Sequence, residues 1–355
     1  MVTAENLSFL YQSPGWLIKM SKIIAGVIGL GFGGHVHVPA LLAHPNIEKV
    51  FVYARREEKG KAMEALDPRV HAIYNRDEFW NQNLDLITIA LPASSAFSEI
   101  KEALERGIPV LTEKPLGKDF LEAQTLFDLA KKFNASHAVD FQFMELESFQ
   151  KLKSEIDSLS QIRSIHFHWS VNSYVIRNKI WSWKLSLKEG GGVLALLGTH
   201  FFYNLESLFE KVTLVSAKGQ STLPKDFPVP PGEALAPDTL EMNLSIHWKG
   251  TTFPLVAMIT NNSQVGYQHS YRIVGNHELF FNNPTSDYMN GFFLEKNGKR
   301  VYEDVPFDGD GRIVPFQRLL GRFIEGLKTK NYTRPTFEHG VRVQELVSLF
   351  EKQNS

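Results

Sequence analysis

The sequence contains no cysteine in its 355 residues, and it has no excess of charge of either sign. Without cysteine, disulfide bonds, thiolate zinc sites and cysteine nucleophiles are excluded. The 38 Lys and Arg residues balance 39 Asp and Glu residues, and no basic cluster stands out along the chain. Nucleic acid and anionic membrane surfaces are therefore not expected as main partners, because both are bound through concentrated positive charge.

Long apolar runs are also lacking, since none approaches the roughly 18 residues that a membrane span needs. The N-terminal region does not contain the continuous apolar segment of a signal peptide. We therefore expect a cytoplasmic protein in which residues 1–21 form an N-terminal extension. Residues 1–19 are interpreted either as a loose extension or as the product of a misplaced start codon.

The chain is 43% apolar, and its length fits about two domains. Residues 22–140 alternate short apolar runs with helical stretches, which predicts an α/β fold with parallel βαβ units in a doubly wound Rossmann sheet. The predicted strands are Ile23–Gly29, Val50–Tyr53, Leu86–Leu91, Val110–Glu113 and His137–Phe141. The predicted helices are Pro39–Ala43, Glu57–Leu66, Ser98–Glu105 and Leu121–Phe133.

Residues 141–355 show long strand-like segments with few helices between them, which predicts a C-terminal α+β domain with a large, mostly antiparallel open sheet. The predicted strands are Ile162–Val171, Val212–Gly219, Leu240–Trp248, Phe253–Asn261, Ser270–Val274 and Gly291–Glu295. Two helices, Val314–Leu327 and Gly340–Lys352, are predicted to close the chain.

A glycine-rich turn, Gly29-Leu-Gly31-Phe-Gly33-Gly34, directly follows the first predicted strand. The spacing G-x-G-x-x-G at a strand-to-helix turn is typical of dinucleotide binding. Gly29 is expected to make the tight turn, Gly31 to let the backbone approach the phosphates, and Gly34 to let the helix pack on the strand. The start of the helix adds free N–H groups and the positive end of its dipole. We predict a dinucleotide site here, to which Phe32 and Gly33 also contribute.

The end of the second predicted strand indicates which dinucleotide is preferred. An acidic residue at that point would hold the ribose hydroxyls of NAD, but the chain has Ala54 followed by Arg55 and Arg56. An arginine binds a ribose phosphate through charge-assisted hydrogen bonds, whereas a carboxylate repels it. We therefore predict NADP(H) in preference to NAD(H), with Arg55 or Arg56 on the 2′-phosphate. The alternative is that both arginines merely begin a solvated helix.

A second motif, Glu113-Lys114-Pro115, ends the fourth predicted strand. A side chain at the carboxyl end of a parallel strand projects into the ligand crevice, and the proline restricts Lys114 to extended backbone and permits a cis bond. Leu91 and Pro92, which end the preceding strand, are predicted to contact the cofactor in the same crevice. Glu-Lys-Pro alone is a common surface tripeptide, so its meaning depends on the motifs that accompany it.

A third motif begins with the glycine triplet at residues 190–192 and continues to His200 and Tyr203. Together, the three motifs resemble the glucose–fructose oxidoreductase / inositol dehydrogenase (Gfo/Idh/MocA) superfamily. The resemblance runs from residue 22 to the end of the chain, and includes the junction Val139–Phe143 and the closing segments Asp310–Phe316 and Phe337–Gln344.

The resemblance implies an N-terminal Rossmann domain and a C-terminal α/β domain whose open sheet often serves for oligomerisation, here in a homodimer or homotetramer. It also implies a small carbohydrate-like substrate that lies against the nicotinamide. In this family pattern Lys114 would bind the reacting oxygen, Glu113 would contact the nicotinamide-side ribose, and His200 would relay the proton.

Two positions depart from the family pattern. An Asp usually precedes the His by four residues, but this chain has Leu196, and Tyr203 replaces a second acid that often follows. The loss of the Asp removes a negative charge that would stabilise the protonated form of a nearby Lys or His. On a regular helix residues 196, 200 and 203 share one face.

Aromatic side chains are candidates for a wall against a sugar ring. They are Tyr174, Trp181, Trp183 and Tyr203. Packing in the core or at an interface is the alternative for each of them.

Three histidines are candidates for functional groups. His166 and His168 alternate on one strand, and we interpret them as part of a polar sheet face, so no metal site is predicted. His37 follows the glycine turn and is either close to the cofactor or structural.

The sequence thus predicts an NADP-dependent dehydrogenase or reductase that transfers a hydride between the nicotinamide and a sugar-like or polyol alcohol or carbonyl compound. Because the nicotinamide performs the hydride chemistry, Lys114 and His200 can suffice as catalytic residues. The alternative is a non-catalytic regulator of the same fold that binds NADP and a small ligand. A third possibility is an enzyme that keeps its cofactor bound through successive half-reactions on a sugar.

Overall fold

The structure is a computed structural model that describes residues 22–264, 266–284, 291–305, 307–332 and 334–354. The extension predicted for residues 1–21 lies outside these residues. The chain forms two compact units. The first unit comprises the described part of Met1–Leu116 with Gln124–Asp140 and Asp308–Glu338, and the second comprises Gly117–Ala123 with the described parts of Phe141–Phe307 and His339–Ser355.

The first unit contains a six-stranded parallel sheet in the order β3-β2-β1-β4-β5-β6. Its strands are β1 (Ile23–Ile28), β2 (Ile47–Tyr53), β3 (Val70–Ile73), β4 (Leu86–Ile89), β5 (Val110–Thr112) and β6 (His137–Val139). This is the strand order of the Rossmann fold. Strands β2 and β3 are added on one side of β1, and β4 to β6 are added on its other side, so the order changes direction between β1 and β4. The predicted doubly wound parallel sheet is confirmed.

The second unit contains an eight-stranded sheet in the order β14-β13-β12-β11-β7-β10-β9-β8. Its strands are β7 (Ile162–Ser170), β8 (Lys211–Gln220), β9 (Thr239–Trp248), β10 (Thr251–Thr260), β11 (Gln268–Gly275), β12 (Glu278–Asn283), β13 (Phe293–Lys296) and β14 (Lys299–Glu303). Neighbouring strands are antiparallel except β7 and β10, which are parallel. The predicted large, mostly antiparallel sheet is confirmed.

The helices connect and cover these sheets. They are α1 (Val38–Ala43), α2 (Glu57–Glu64), α3 (Arg76–Trp80), α4 (Ala93–Glu105), α5 (Phe120–Lys132), α6 (Glu147–Ser158), α7 (Tyr174–Arg177), α8 (Thr199–Leu208), α9 (Ile313–Thr329) and α10 (Phe337–Gln353). No helix in the described ranges is both long enough and apolar enough to cross a membrane.

Helix α9 belongs to the first unit although it lies near the end of the sequence. Its buried residues Phe316, Leu320 and Phe323 share one apolar core with Val27 of β1 and with Val36. Burial of apolar side chains is the main driving force for such docking, at roughly 25 cal/mol per Å² of apolar surface. The helix is thereby packed beside the glycine turn.

On strand β7, the two faces of the second sheet differ in burial and polarity. Phe167 and Trp169 are buried, and the Phe167 ring stacks on Phe201 of α8 with centroids 4.4 Å apart. His166 is exposed and His168 is half-buried, as expected for a polar face. In the described part of the chain, neither histidine belongs to a group of side chains that could hold a metal ion.

Candidate active site

The glycine turn after β1 is closed against the end of β4. Gly29 has φ +97°, and a Cβ added to it would lie 2.3 Å from the carbonyl oxygen of Ala90 and 3.2 Å from Leu91. Both the left-handed backbone and the close approach require glycine at this position. Leu91 therefore lies directly on the turn, and Pro92 follows it as the N-cap of α4.

Gly31 differs from Gly29 because a Cβ added there would meet nothing within 4 Å. Among the described residues, no close contact requires glycine at position 31, and the space beside it is open. That is the position at which the backbone of a dinucleotide fold approaches the pyrophosphate.

The helix after the turn begins as a π-helical segment, Gly33–His37, before α1 continues it. The sequence prediction assigned the close helix-to-strand contact to Gly34. In the structure Gly33 is nearer to the sheet, since its added Cβ would lie 3.0 Å from Ala90 and 3.3 Å from Val27, whereas Gly34 faces Met63 of α2 at 3.0 Å.

The two candidate phosphate-binding arginines lie between the end of β2 and α2. Both side chains are exposed, and Arg56, the N-cap of α2, forms an exposed ion pair with Glu58 at 3.6 Å. Among the described residues Arg55 forms no ion pair, so its guanidinium has no carboxylate to displace before it can meet a phosphate. An exposed pair such as Arg56–Glu58 is itself weak.

Glu113 and Lys114 follow β5 directly. The backbone N–H of Glu113 donates to the carbonyl oxygen of Ile89 at 2.8 Å, which fixes it beside the end of β4. The Lys114–Pro115 peptide bond is cis. Both side chains are therefore at the carboxyl edge of the Rossmann sheet, where ligands of this fold bind.

A buried group of titratable side chains surrounds Glu113. His37 Nε2 lies 3.4 Å from Glu113 Oε1, and the functional atoms of His37, Glu113 and Asp140 all lie within 4.8 Å of one another. His37 and Asp140 are fully buried, and the Glu113 side chain is 14% exposed. One imidazole and two carboxylates also have the chemistry of a metal site, but two of the three groups already interact with each other directly.

Glu113 is held as a carboxylate. Burial by itself would raise its pKa, but the hydrogen bond with His37, the neighbouring Asp140 and the charge of Lys114 outweigh burial and hold the pKa below its ordinary value. The charge therefore persists at neutral pH next to Lys114.

The glycine triplet of the second unit forms a compact turn. Gly190 and Gly192 have φ +70° and +89°, and a Cβ added to Gly191 would lie 2.3 Å from the carbonyl oxygen of Trp183. The backbone N–H of Val193 donates to the carbonyl oxygen of Pro237 at 2.9 Å. The triplet thus anchors the start of the segment that leads into α8.

His200 lies in the first turn of α8 and is only 6% exposed. Its ring packs edge-on against Phe143 with centroids 4.9 Å apart. A second histidine, His269, stacks on Trp169 at 4.2 Å, and burial lowers the pKa of His269 to about 3. His269 is therefore uncharged at neutral pH.

The segment that carries Leu196 is a π-helix, Leu194–Gly198, and α8 starts only after it. The expectation that Leu196 shares a face with His200 was based on regular α-helical spacing and stays a prediction across this π-helical segment. Leu196 is half-buried, whereas Tyr203 is 2% exposed and stacks on Phe141 with centroids 4.4 Å apart. The Tyr203 ring is thus packed as a core aromatic, and a contact with substrate stays a prediction.

The remaining aromatic candidates differ in exposure. Trp181 is partly buried and packs on a small apolar cluster of Ile176, Leu185 and Phe227. Trp183 is also partly buried, whereas Tyr174 is 64% exposed. A sugar-facing role for these three side chains stays a prediction.

The structure adds Asp140 to the residues that the sequence singled out. Its backbone N–H donates to the carbonyl oxygen of Thr112 at 2.7 Å, which sets it beside Glu113 on the neighbouring strand end. The available signal was an acidic residue directly after the apolar strand His137–Val139. The sequence left His37 between two interpretations, and the structure pairs it with Glu113.

Comparison with known families and proteins gives consistent matches along the chain. Residues 23–141 match the model of an oxidoreductase family with an NAD-binding Rossmann fold, and residues 153–355 match that family's C-terminal alpha/beta domain. An uncharacterised oxidoreductase of Synechocystis sp. is 27% identical over 349 residues, which cover 94% of each chain.

Two solved structures share the fold over almost the whole chain. Levoglucosan dehydrogenase in complex with NADH and levoglucosan superposes with a TM-score of 0.80 at 18% identity, covering 94% of this chain and 97% of the other. KijD10, a 3-ketoreductase from Actinomadura kijaniata in complex with NADP and TDP-benzene, gives a TM-score of 0.73 at 19% identity, covering 94% and 98%.

Proposed function

This chain belongs to the Gfo/Idh/MocA oxidoreductase family, and we propose that it transfers a hydride between NADP(H) and a sugar-like or polyol alcohol or carbonyl compound. Support for a carbohydrate-like substrate comes from the structural neighbour that carries levoglucosan. The two neighbours bind NADH and NADP respectively, so the preference for NADP rests on this chain's own arginines.

The observation that carries the proposal is the contrast between Gly29 and Gly31. Gly29 is closed in by Ala90, whereas the space beside Gly31 is open. If glycine were needed only for the folding of the turn, Gly29 would have a reason to be glycine but Gly31 would not. The chain therefore fits a dinucleotide whose pyrophosphate lies against Gly31.

The chemistry divides between the cofactor and the chain. The nicotinamide, when bound, supplies the hydride acceptor or donor. Lys114 binds and polarises the reacting oxygen as a cationic hydrogen-bond donor, and His200 carries the proton that leaves or joins that oxygen. Glu113 orients Lys114 and contacts the nicotinamide-side ribose.

The direct test is a single turnover of stoichiometric protein with NADP⁺ or NAD⁺ and a panel of sugars and polyols, followed by the fluorescence of the reduced nicotinamide. Formation of the reduced nicotinamide with any compound is the expected result and identifies the substrate class. Silence across the panel, with cofactor binding verified by calorimetry, would contradict the proposal.

The preference for NADP(H) predicts that replacing Arg55→Asp together with Arg56→Ser weakens NADPH binding by about tenfold to a hundredfold, as expected for loss of charge-assisted hydrogen bonds. NADH binding is expected to change by less than about threefold, because NADH has no 2′-phosphate. Titration of each nucleotide by fluorescence measures both constants. Arg163→Ser, an exposed arginine of the second unit, is the matched control. An equal loss for both nucleotides would show that these arginines do not bind the phosphate.

A second candidate function is a regulator that binds NADP and a small ligand without turnover. Leu196 favours it, because the family pattern has a carboxylate at that position. If the missing carboxylate is what limits catalysis, Leu196→Asp is expected to raise turnover by at least about tenfold, because it restores the negative charge of the family pattern. Leu196→Asn is the control, because an Asn side chain has the size of the Asp side chain but no charge. No gain with Asp in an active wild-type protein would show that the chain works without this acid.

A further inference from the structure

Residues 31–34 of the glycine turn carry only one side chain, because three of the four are glycines. Glycine has more backbone freedom than any other residue, so a glycine-rich segment needs contacts with its surroundings to stay in one conformation. The one side chain, that of Phe32, is partly buried and packs on the apolar core of the first unit. Contacts that fix the Phe32 ring therefore also restrain the backbone at Gly31, where we expect the pyrophosphate.

The start of α9 supplies two of these contacts, one directly and one through His37. The guanidinium carbon of Arg312, the N-cap residue of α9, lies 5.0 Å from the centre of the Phe32 ring. His37 packs edge-on against the same ring with centroids 5.6 Å apart, and it is itself stacked on Phe316 of α9 at 4.0 Å. Arg312 and Phe316 are four residues apart, a spacing that places two side chains next to each other on a helix. All four residues belong to the first unit.

Asp310 orients the Arg312 guanidinium. Nε and Nη2 of Arg312 donate to the two carboxylate oxygens of Asp310 at 2.8 and 2.6 Å, and the backbone N–H of Arg312 donates to Oδ1 at 3.1 Å. Two parallel charge-assisted hydrogen bonds fix the plane of a guanidinium as well as its position. A guanidinium within about 6 Å of an aromatic ring centre is attracted to the ring, and more strongly where water is excluded. Asp310, Arg312 and Phe32 thus form one connected group, which we call the clamp.

We propose that Arg312 is a positioning residue for cofactor binding. Held by Asp310, it fixes Phe32 and thereby keeps the glycine turn in the conformation that receives the pyrophosphate of a dinucleotide. The inference rests on the proposed function for the identity of the ligand, whereas the effect of the clamp on the turn does not depend on any ligand. It gives a role to the closing segment Asp310–Phe316, which the catalytic proposal leaves unused.

The sign of the Asp310 effect separates positioning from simple charge. A dinucleotide is an anion, so the negative charge of Asp310 opposes its binding and the positive charge of Arg312 favours it. If the two residues acted only through charge, removing Asp310 would strengthen binding and removing Arg312 would weaken it. If they act through the clamp, removing either one weakens binding.

The experiment is a calorimetric titration of the full-length protein with NADPH, together with thermal unfolding of each variant. Arg312→Gln is expected to raise the dissociation constant about three- to tenfold, as for loss of a partly desolvated cation–π contact. Arg322→Gln is the matched control, because Arg322 is an exposed arginine of the same helix that also lies over a ring, that of Tyr332 at 5.8 Å. It loses the same charge and should bind NADPH within about twofold of wild type.

Asp310→Ser tests the orienting role of Asp310. The serine hydroxyl can still accept from the backbone N–H of Arg312, but it cannot form the two parallel hydrogen bonds with the guanidinium. NADPH binding is expected to weaken about two- to fivefold although a negative charge is removed. Asp308→Ser removes the same charge from an exposed position two residues earlier and should not weaken binding. Tighter binding in Asp310→Ser would overturn the proposal.

A double-variant cycle tests whether Arg312 acts through Phe32. In the Phe32→Leu background, which lacks the ring, adding Arg312→Gln is expected to change NADPH affinity by less than about twofold, because the contact is already lost. If the two losses multiply in full, Arg312 acts on the nucleotide without Phe32 and the proposal is wrong. Arg312→Lys keeps a cation but loses the planar fork, so its affinity should fall between wild type and Arg312→Gln. It replaces Arg312→Gln in the cycle if that variant does not fold.

Hydrogen exchange without nucleotide separates failure of this inference from failure of the proposed function. In Arg312→Gln the backbone amides of residues 29–37 are expected to exchange at least about threefold faster than in wild type, whereas those of β9 should not change. Faster exchange combined with no NADPH binding by the wild-type protein would leave the clamp in place and remove the proposed function. Binding of NADPH by wild type with an unchanged dissociation constant in Arg312→Gln would overturn the role of the clamp and leave the proposed function standing.

Discussion

Replacing Lys114 with alanine is expected to slow turnover by at least about a hundredfold, the usual effect of losing a group that handles the proton at a reacting oxygen. The loss should appear in kcat as well as in kcat/KM, because Lys114 stabilises charge that develops only as the oxygen reacts. Steady-state rates on the substrate identified by the panel provide the measurement.

Lys118→Ala is the matched control for that result. Lys118 lies four residues further on, is exposed, and pairs with Glu122 at 3.2 Å rather than with the buried cluster. Its removal should leave kcat within about twofold of wild type, since exposed ion pairs contribute little. Equal rates for wild type and Lys114→Ala would exclude the catalytic role of Lys114.

The second large effect concerns Gly31. Gly31→Val should weaken NADPH binding by at least about a hundredfold, roughly 2.7 kcal/mol, because the added side chain fills the space in which the pyrophosphate must lie. The fold should tolerate the change, since nothing lies within 4 Å of a Cβ at this position and Gly31 is not among the glycines with positive φ. Thermal unfolding and calorimetric titration of NADPH measure the two effects separately.

Gly29→Ala provides the contrast. Its added Cβ would lie 2.3 Å from the Ala90 carbonyl oxygen at φ +97°, so this variant should lower both the unfolding temperature and the affinity for NADPH. Gly31→Ala should fall between wild type and Gly31→Val in affinity without loss of stability. Normal NADPH affinity in Gly31→Val would mean that no dinucleotide lies against this turn.

The strands that the sequence predicted share a strong local pattern. β1, β7 and β9 are apolar or strictly alternating over six residues or more, and the buried faces follow that alternation. β3 has only four residues and β14 is mostly exposed, so neither has enough apolar side chains to be recognised. Helix α6 was missed although its buried Phe149, Leu152 and Ile156 show a helical period, which is a signal the prediction could have used.

The candidate site residues also divide into those that a local sequence motif indicates and those that it does not. The sequence singled out the glycine turn, Glu113 and Lys114 because each motif is contiguous in the sequence and has a mechanical or chemical reason for its spacing. The effect of the π-helical segments at Gly33–His37 and Leu194–Gly198 was not predictable, since one extra residue per turn leaves no clear mark in the sequence. In the structure Gly33, rather than the predicted Gly34, lies closest to the sheet.

The sequence by itself determined the Rossmann sheet, the antiparallel sheet, the family and the positions of the contiguous motifs, because periodicity and short motifs are local properties. Only the tertiary structure decided that His37 and Asp140 meet at Glu113, across 76 and 27 positions of the chain. It also decided that α9 packs beside the glycine turn, where Phe316 fixes His37. Strand order and helix docking follow from the burial of apolar surface by the whole unit, and no local pattern encodes which distant side chains that burial brings together.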